Sequence, residues 1–447
     1  MKSGLRVLVY LYIYSIVFDG IFRKWLLPQY STPIMAIKQV LAVLIFIYGC
    51  RYWKYFTKWE IGSLLIGFIT FLTTLAFGHG NIYVALYGCL PFFFGIPLCL
   101  IISKILYKDD LIRIGKVFVF VLFVNSILII AQYNLPITHV LNYTAGDVER
   151  IEDYAISELA GGFRPMGIFY HGTHNSLFSL VALSFLLYFY FFRKGIANKL
   201  FLIVVLVLDI VASVCSVSRT NIFLHIGLIA FFFLVISNFK TKRNFVLSIL
   251  IFLPIFYFFV QKTTFFTGAI ENLENRFENA SEAQYAGEST LQGTINDVWY
   301  RGIQYHVKAV TNPKTFDGSA PPFWGFGQGM STQIGGRLLD VGGENSGFSL
   351  AEFDGLRIMC ESGLLLGWLV IFLRLGYAFR FLLKIMSLKR YQFFLSLCLL
   401  LPFLKSFFII SNWGNLFSAN MAFVIGGLFL ASLRGEEYKY ETQNYRV

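Results

Sequence analysis

Four arginines sit in short motifs suited to anion chemistry: Arg164 in GGFRPMG, Arg219 in SVSRT, Arg301 in WYRGIQYH and Arg337 in GGRLL. A guanidinium keeps its charge and offers a planar fork of donors that matches phosphate oxygens bidentately. Several of them in one compartment imply a phosphate or pyrophosphate ligand. Taken singly, each also reads as a headgroup anchor or as the partner of a nearby acid. Carboxylates gather in the same regions: Asp147, Glu149, Glu152, Asp153 and Glu158, then Glu344, Glu352, Asp354 and Glu361. A sugar hydroxyl attacking an anomeric carbon needs a base opposite the leaving group, whereas a pyrophosphate leaving group needs cations and no general acid. Arginines plus a carboxylate meet both needs, so no metal and no cofactor are expected. The catalytic candidates are Glu352, Asp354, Glu344 and Arg301.

Around them stand candidate substrate contacts. Tyr305 shares a helix face with Arg301 and Lys308 if INDVWYRGIQYHVKAV is helical, because Ile295, Val298, Trp299, Ile303, His306, Val307 and Val310 recur on the opposite face. His171 and His174, at i and i+3 in FYHGTHNS, share another face. That pair reads as a metal site lacking a third ligand, as hydrogen bonding to a ligand, or as buried structural polarity. His79, His139, His225 and His306 are isolated. Lys38, Asp209, Arg374 and Lys405 fall within apolar runs, where an ionisable group is costly and usually paired. An Asp209 to Lys405 pair is one candidate, and Lys38 is kept as a substrate contact.

These residues need elements to hold them, and composition names the class. Of 447 residues 57% are hydrophobic and 14% charged, with a mean hydropathy of +0.65. An all-α polytopic membrane protein is expected. Twelve apolar runs are near the ~20 residues that cross a bilayer as helix. They lie near 5 to 22, 33 to 50, 61 to 78, 82 to 103, 115 to 133, 166 to 192, 200 to 218, 220 to 238, 245 to 262, 356 to 379, 391 to 411 and 416 to 433. Lys and Arg crowd the alternate connections RYWKYFTKWE, SKILYKDDLIRIGK, RKGIANK, KTKR and RFLLKIMSLKR, while the short connections on the other side hold Arg23, Lys24, Arg150, Arg164 and Arg219. The positive-inside rule then puts both termini in the cytoplasm and the sparse arginines outside. The net charge of +12 follows from those cytoplasmic segments and implies no nucleic-acid partner.

The first run carries no small-residue cleavage site and reads as an uncleaved signal anchor. Residues 1–262 are expected to hold helices 1–9, residues 263–353 a large outer loop with amphipathic helices, and residues 354–447 helices 10–12 and a cytoplasmic tail. Within the loop, the glycines of 325–345 suit a mobile lid or a plain connector. The six cysteines stand singly in apolar runs, with no disulfide or zinc framework.

The strings DGIFRKWLLP, GGFRPMGIFYHGTHNS, SVSRT, YRGIQYHVKAVTNP, FWGFGQGMST and AEFDGLRIMCESGLLLGW together, from about residue 19 to 370, resemble the O-antigen polymerase and ligase superfamily. That resemblance implies a metal-independent GT-C-type glycosyltransferase. It would act at the periplasmic face of a bacterial inner membrane on an undecaprenyl-diphosphate-linked oligosaccharide, among membrane lipids and with a chain-length regulator as a candidate partner. It implies that Arg164, Arg219 and Arg301 are the pyrophosphate and catalytic arginines. The chain departs from the family where a His-Asn pair precedes the E-x-G turn: here Glu344-Asn345 and Glu352-Phe353-Asp354 precede Glu361-Ser362-Gly363. A carboxylate base, Glu352 first by its spacing to Glu361, or a base from elsewhere takes that place. AEFDGLRIMCESG is more like the exopolysaccharide and capsule polymerase branch. The alternatives are an O-antigen ligase-type transferase to a lipid or protein acceptor, and a non-enzymatic transporter or flippase of lipid-linked glycans.

Overall fold

The computed structural model describes residues 2–136, 138–143, 164–170, 172–192, 198–235, 304–315, 318–332, 354–387, 394–408 and 413–444, together with 296, 299, 300, 335, 338 and 339. Among the described residues there is helix and no strand. The principal helices are α1 (Lys2–Val17), α2 (Ser31–Gly49), α3 (Lys58–Phe77), α4 (Ile82–Ile105), α5 (Lys108–Asn134), α6 (Gly172–Phe192), α7 (Lys199–Cys215), α8 (Arg219–Val235), α9 (Tyr305–Thr311), α10 (Asp354–Ser387), α11 (Phe394–Phe407) and α12 (Leu416–Asn444). Among the described residues seven helices are long and apolar enough to cross a membrane, or eight if the bent pair Gly4–Val17 and Asp19–Leu26 is one span; Thr220–Phe233 and Phe394–Phe407 are shorter apolar helices. The protein is therefore a polytopic helical membrane protein, as expected for backbone that must satisfy its own hydrogen bonds in lipid. The run 245 to 262 and most of the loop 263–353 lie outside the described residues.

Three boundaries differ from the apolar runs, each for a local reason. The first run bends by 57° after Val17. The run from 166 becomes helix only at Gly172, because Gly167 takes φ 63° and turns the chain first. The run from 356 continues to Ser387 but breaks at Gly363, whose φ of 75° and ψ of −179° belong to no helix.

The chain divides into two compact units, and each holds one candidate constellation. The first comprises Met1–Ile16, Ala36–Ile112 and Val298–Val447. In it α4 packs against α3 and α12, and α10 against α3, α9 and α11. Its α3 starts with a capping box in which Glu60 accepts from the Thr57 backbone at 2.7 Å, and α4 starts at Asn81, whose side chain accepts from Tyr83 N at 3.0 Å. Pro91 and Pro97 interrupt the hydrogen bonding of α4, and the hydroxyl of Ser63 donates to the carbonyl of Phe92 nearby. The second unit comprises Val17–Met35 and Arg113–Asp297. There α6, α7 and α8 pack on one another, with Ile129 of α5 clustered against Val211, Ala212 and Cys215 of α7.

Candidate functional site

In the second unit the segment Asp19–Leu26 and the turn Arg164–Tyr170 are built around one another. Arg23 donates to Asp19 at 3.2 Å and to the hydroxyl of Ser31 at 2.9 Å, and its guanidinium lies 4.3 Å from the ring centroid of Tyr170. Lys24 is buried and donates to the carbonyls of Gly167 at 3.0 Å and Phe169 at 3.1 Å. The turn is held from its other side too: Gln132 accepts from Gly167 N at 2.8 Å, and Asn125 accepts from Ile168 N at 2.9 Å. Gly20 must be glycine, since a Cβ would overlap the carbonyl of Ile168. Arg164 enters this turn three residues before Gly167, so by chain reach alone its Cα stays within ~10 Å of the carbonyl that Lys24 holds. His174 is fully buried, its ring edge-on to Tyr170 at 4.4 Å. His171 lies outside the described residues.

Arg219 is the first residue of α8, and its side chain lies outside the described residues. The backbone that delivers it is strained. Val217, a buried β-branched residue, takes φ 48°, a conformation in which such residues are outliers, at a cost of ~1 to 3 kcal/mol. Ser216 N closes onto Ala212 O at 2.8 Å and Val217 N onto Val214 O at 3.0 Å. The connection from α7 to α8 is thus a tight, held turn. Just below it Asp209 accepts from, or shares a proton with, His225 Nε2 at 2.8 Å, and His225 Nδ1 donates to Asn221 O at 2.7 Å. Within its own unit Asp209 is thus partnered across the adjacent helix by His225, one of the histidines read as isolated, whereas Lys405 belongs to the first unit.

The first unit contains a buried ionic core on the first half of α10. Asp354 is fully buried; it accepts from Arg357 Nε at 2.8 Å, Arg374 Nη1 at 2.5 Å and Trp413 N at 2.8 Å. Arg357 Nη1 also donates to Glu361 at 2.7 Å, while the other Glu361 oxygen accepts from the backbone and hydroxyl of Ser331 at 3.0 and 2.5 Å. Arg374 continues to the carbonyls of Phe407 at 3.3 Å and Phe408 at 3.0 Å and stacks over Trp413 at 4.0 Å. Two acids and two arginines balance in charge. Such a network holds helices together; Asp354 would have to surrender one of these bonds to take a proton from a substrate.

Gly363 explains why this core has a strap over it. The break in α10 frees carbonyls, and FWGFGQGMST returns to satisfy them: Phe326 N donates to Cys360 O at 2.8 Å, Gly327 N to Glu361 O at 3.0 Å, and Leu364 N to Phe323 O at 3.1 Å. Gln328 is fully buried, its side chain on Ser362 at 2.5 Å and its N–H on Thr74 at 2.9 Å. Of the segment 325–345, expected as a lid or a connector, residues 325–332 are described, and there the glycines serve close backbone packing.

Helix α9 lies on this core, with Ala309 clustered with Leu356 and Cys360, and Tyr305, Phe326 and Met330 packed against that cluster. The expected faces hold in part: His306 and Val310 are buried and Lys308 is exposed, whereas Val307, and Trp299 ahead of the helix, are exposed and Tyr305 is half-buried, because the helix turns its His306, Ala309 and Val310 edge toward α10. Burial, reinforced by the positive charge of Lys405, pushes His306 down to about 4. The folded protein then binds fewer protons than the unfolded chain between about 4 and the ordinary 6.5. The His306 contribution is complete above pH 6.5 and is lost as the pH falls toward 4. Thermal midpoints of the detergent-solubilised protein should drop across that window, and the drop should be smaller in His306→Gln; equal slopes would refute the assignment.

Lys38 is fully buried, its ammonium 6.0 Å from the ring centroid of Phe417. Arg301, Arg337, Glu344 and Glu352 lie outside the described residues, as do Asp147, Glu149, Glu152, Asp153 and Glu158.

No family model, curated protein or solved structure matches this chain. The two constellations therefore carry the functional reading. Arg23, Lys24, Arg357 and His225 are the functional or structural groups that sequence reasoning passed over. The signal for the first two was present: they stand next to a span on the side that the charge pattern leaves sparse in cations, and a carboxylate, Asp19, accompanies them.

Proposed function

We propose that the protein is an inner-membrane polysaccharide polymerase of the O-antigen polymerase and ligase type, with about twelve spans and a GT-C-like plan. It would transfer a growing glycan from undecaprenyl diphosphate to a lipid-linked repeat unit at the periplasmic face. The observation that carries this reading is the turn Arg164–Tyr170, which begins with Arg164 and is held by the buried Lys24, with Arg23 against Tyr170. In the reaction the acceptor hydroxyl oxygen bonds to the anomeric carbon as the bond from that carbon to the diphosphate oxygen breaks. The hydroxyl proton passes to a carboxylate, and the diphosphate departs as an anion compensated by cations. Arg164, Arg219 and Arg301 are assigned to the diphosphate. Glu352 is assigned as base ahead of Asp354, whose oxygens are already taken, and Glu344 is the second choice.

The test is at Arg219. Arg219→Lys keeps the charge but loses the planar fork; a charge-assisted hydrogen bond contributes ~1.5 to 3 kcal/mol, so turnover should fall about tenfold to a hundredfold. Arg219→Ala should fall further. Polymer length and rate measured with purified lipid-linked repeat units, at matched protein levels, decide it. Wild-type polymer from Arg219→Ala would leave Arg219 as an interfacial anchor. Transfer to a lipid or protein acceptor in place of repeat-unit extension would favour the ligase reading.

A further inference from the structure

At one end of the first unit, α3 and α10 bring exposed cations together on segments almost bare of acids. Between Asp19 and Asp109 the sequence holds one carboxylate, Glu60, and between Glu361 and Glu436 it holds none. Glu60 is buried and serves its helix cap, accepting from the backbone and the hydroxyl of Thr57 at 2.7 and 2.5 Å. Arg51, Lys54, Lys58 and Arg380 are exposed. At the adjoining α4–α5 turn Asp109 is exposed, while Asp110 is taken by Arg6 at 2.9 Å and Tyr10 at 2.6 Å.

Two of these cations close on a single seam. Arg380 Nη1 donates to Thr57 Oγ1 at 3.1 Å, a Cβ on Gly376 would meet the ring of Trp59, and a Cβ on Gly62 would lie 3.5 Å from Leu373, so α3 and α10 pair antiparallel. Arg380 therefore continues the edge of α10 that faces α3, and Lys58 begins α3 next to Thr57. Farther along the same seam the side chains turn apolar. Leu65 and Ile69 follow Lys58 on its stripe of α3, Leu369 and Phe372 stand on the adjoining stripe of α10, and all four are exposed. Cations at the head of an exposed apolar strip match a molecule with a negative group at one end and hydrocarbon at the other.

We propose that the seam between α3 and α10 seats one anionic phospholipid, its phosphodiester on Lys58 and Arg380 and its acyl chains along Leu65, Leu369 and Phe372. The bond to Thr57 fixes the Arg380 guanidinium, and its remaining N–H groups form the fork that takes phosphate oxygens in parallel. Lys58 adds a point charge. Arg51 and Lys54, on the turn before α3, raise the local potential and select a headgroup of net negative charge over a zwitterion. The site is independent of the proposed polymerase reaction and stands or falls without it.

The discriminating variant is Lys58→Gln with Arg380→Gln, which removes both charges from exposed positions. The full chain in non-ionic detergent would be titrated with phosphatidylglycerol in one arm and phosphatidylcholine of the same acyl chains in the other, with binding read by native mass spectrometry. The parent should bind the first lipid phosphatidylglycerol molecule about tenfold more tightly than phosphatidylcholine, and the double variant should lose that preference. Arg113→Gln with Lys199→Gln, which removes two exposed cations of the second unit, should keep it. An unchanged preference in Lys58→Gln with Arg380→Gln would overturn the site, as would an equal loss in the control, which would mean that net charge alone attracts the lipid. If the double variant is not recovered folded, Phe372→Ser and the parent decide: a parent that binds both lipids alike, or a Phe372→Ser variant that binds phosphatidylglycerol as the parent does, overturns the seam.

Discussion

Asp354→Ala should lower the thermal midpoint of the solubilised protein by on the order of 10 °C, as a buried ion pair broken on one side costs ~3 to 5 kcal/mol. The acid accepts three hydrogen bonds at 2.8 Å or shorter and is fully buried, so its loss takes a carboxylate partner from Arg374 and leaves Arg357 to Glu361. Asp354→Asn, which retains an acceptor oxygen, should fall between parent and Ala. Circular dichroism or fluorescence-detected gel filtration against temperature measures this. A parent-like midpoint with abolished polymer synthesis would instead place Asp354 in the chemistry, as its sequence position first suggested.

Gly363→Ala should be about as damaging. A residue with φ 75° and ψ −179° is in a region essentially closed to side chains, at ~1 to 3 kcal/mol, and here a Cβ would also run into the carbonyl of Phe323. That carbonyl cannot retreat freely, because it holds Leu364 N at 3.1 Å and its neighbours Phe326 and Gly327 cap Cys360 and Glu361. The expected result is a loss of ~3 kcal/mol or more together with new protease cleavage within 323–332, as the strap lifts. Gly62→Ala is the control. A Cβ there meets Leu373 at an ordinary 3.5 Å, so the variant should match the parent or gain slightly. Intact protease resistance in Gly363→Ala would show that the strap is held by something other than the break.

Sequence alone determined the class of this protein and the approximate place of its helices. Long apolar runs have a single economical solution in lipid, the helix, and that constraint is local. It also determined that Asp209 and Arg374 would be paired, since an isolated charge in such a run is costly. The partners were decided only in three dimensions. Asp209 met His225 and Arg374 met Asp354, 20 positions earlier, because pairing follows how each helix is rotated against its neighbour, and runs apolar on all sides carry almost no record of that rotation. The same holds for glycine. GFGQG and ESG each announced unusual backbone, but that one exists to satisfy the other, with Phe326 and Gly327 donating to Cys360 and Glu361, is a property of two segments more than 30 residues apart. Lys24 is the clearest case: its charge is in the sequence, while its burial against Gly167 and Phe169, 143 and 145 residues away, makes an ordinary flanking cation the clasp of the turn that follows Arg164.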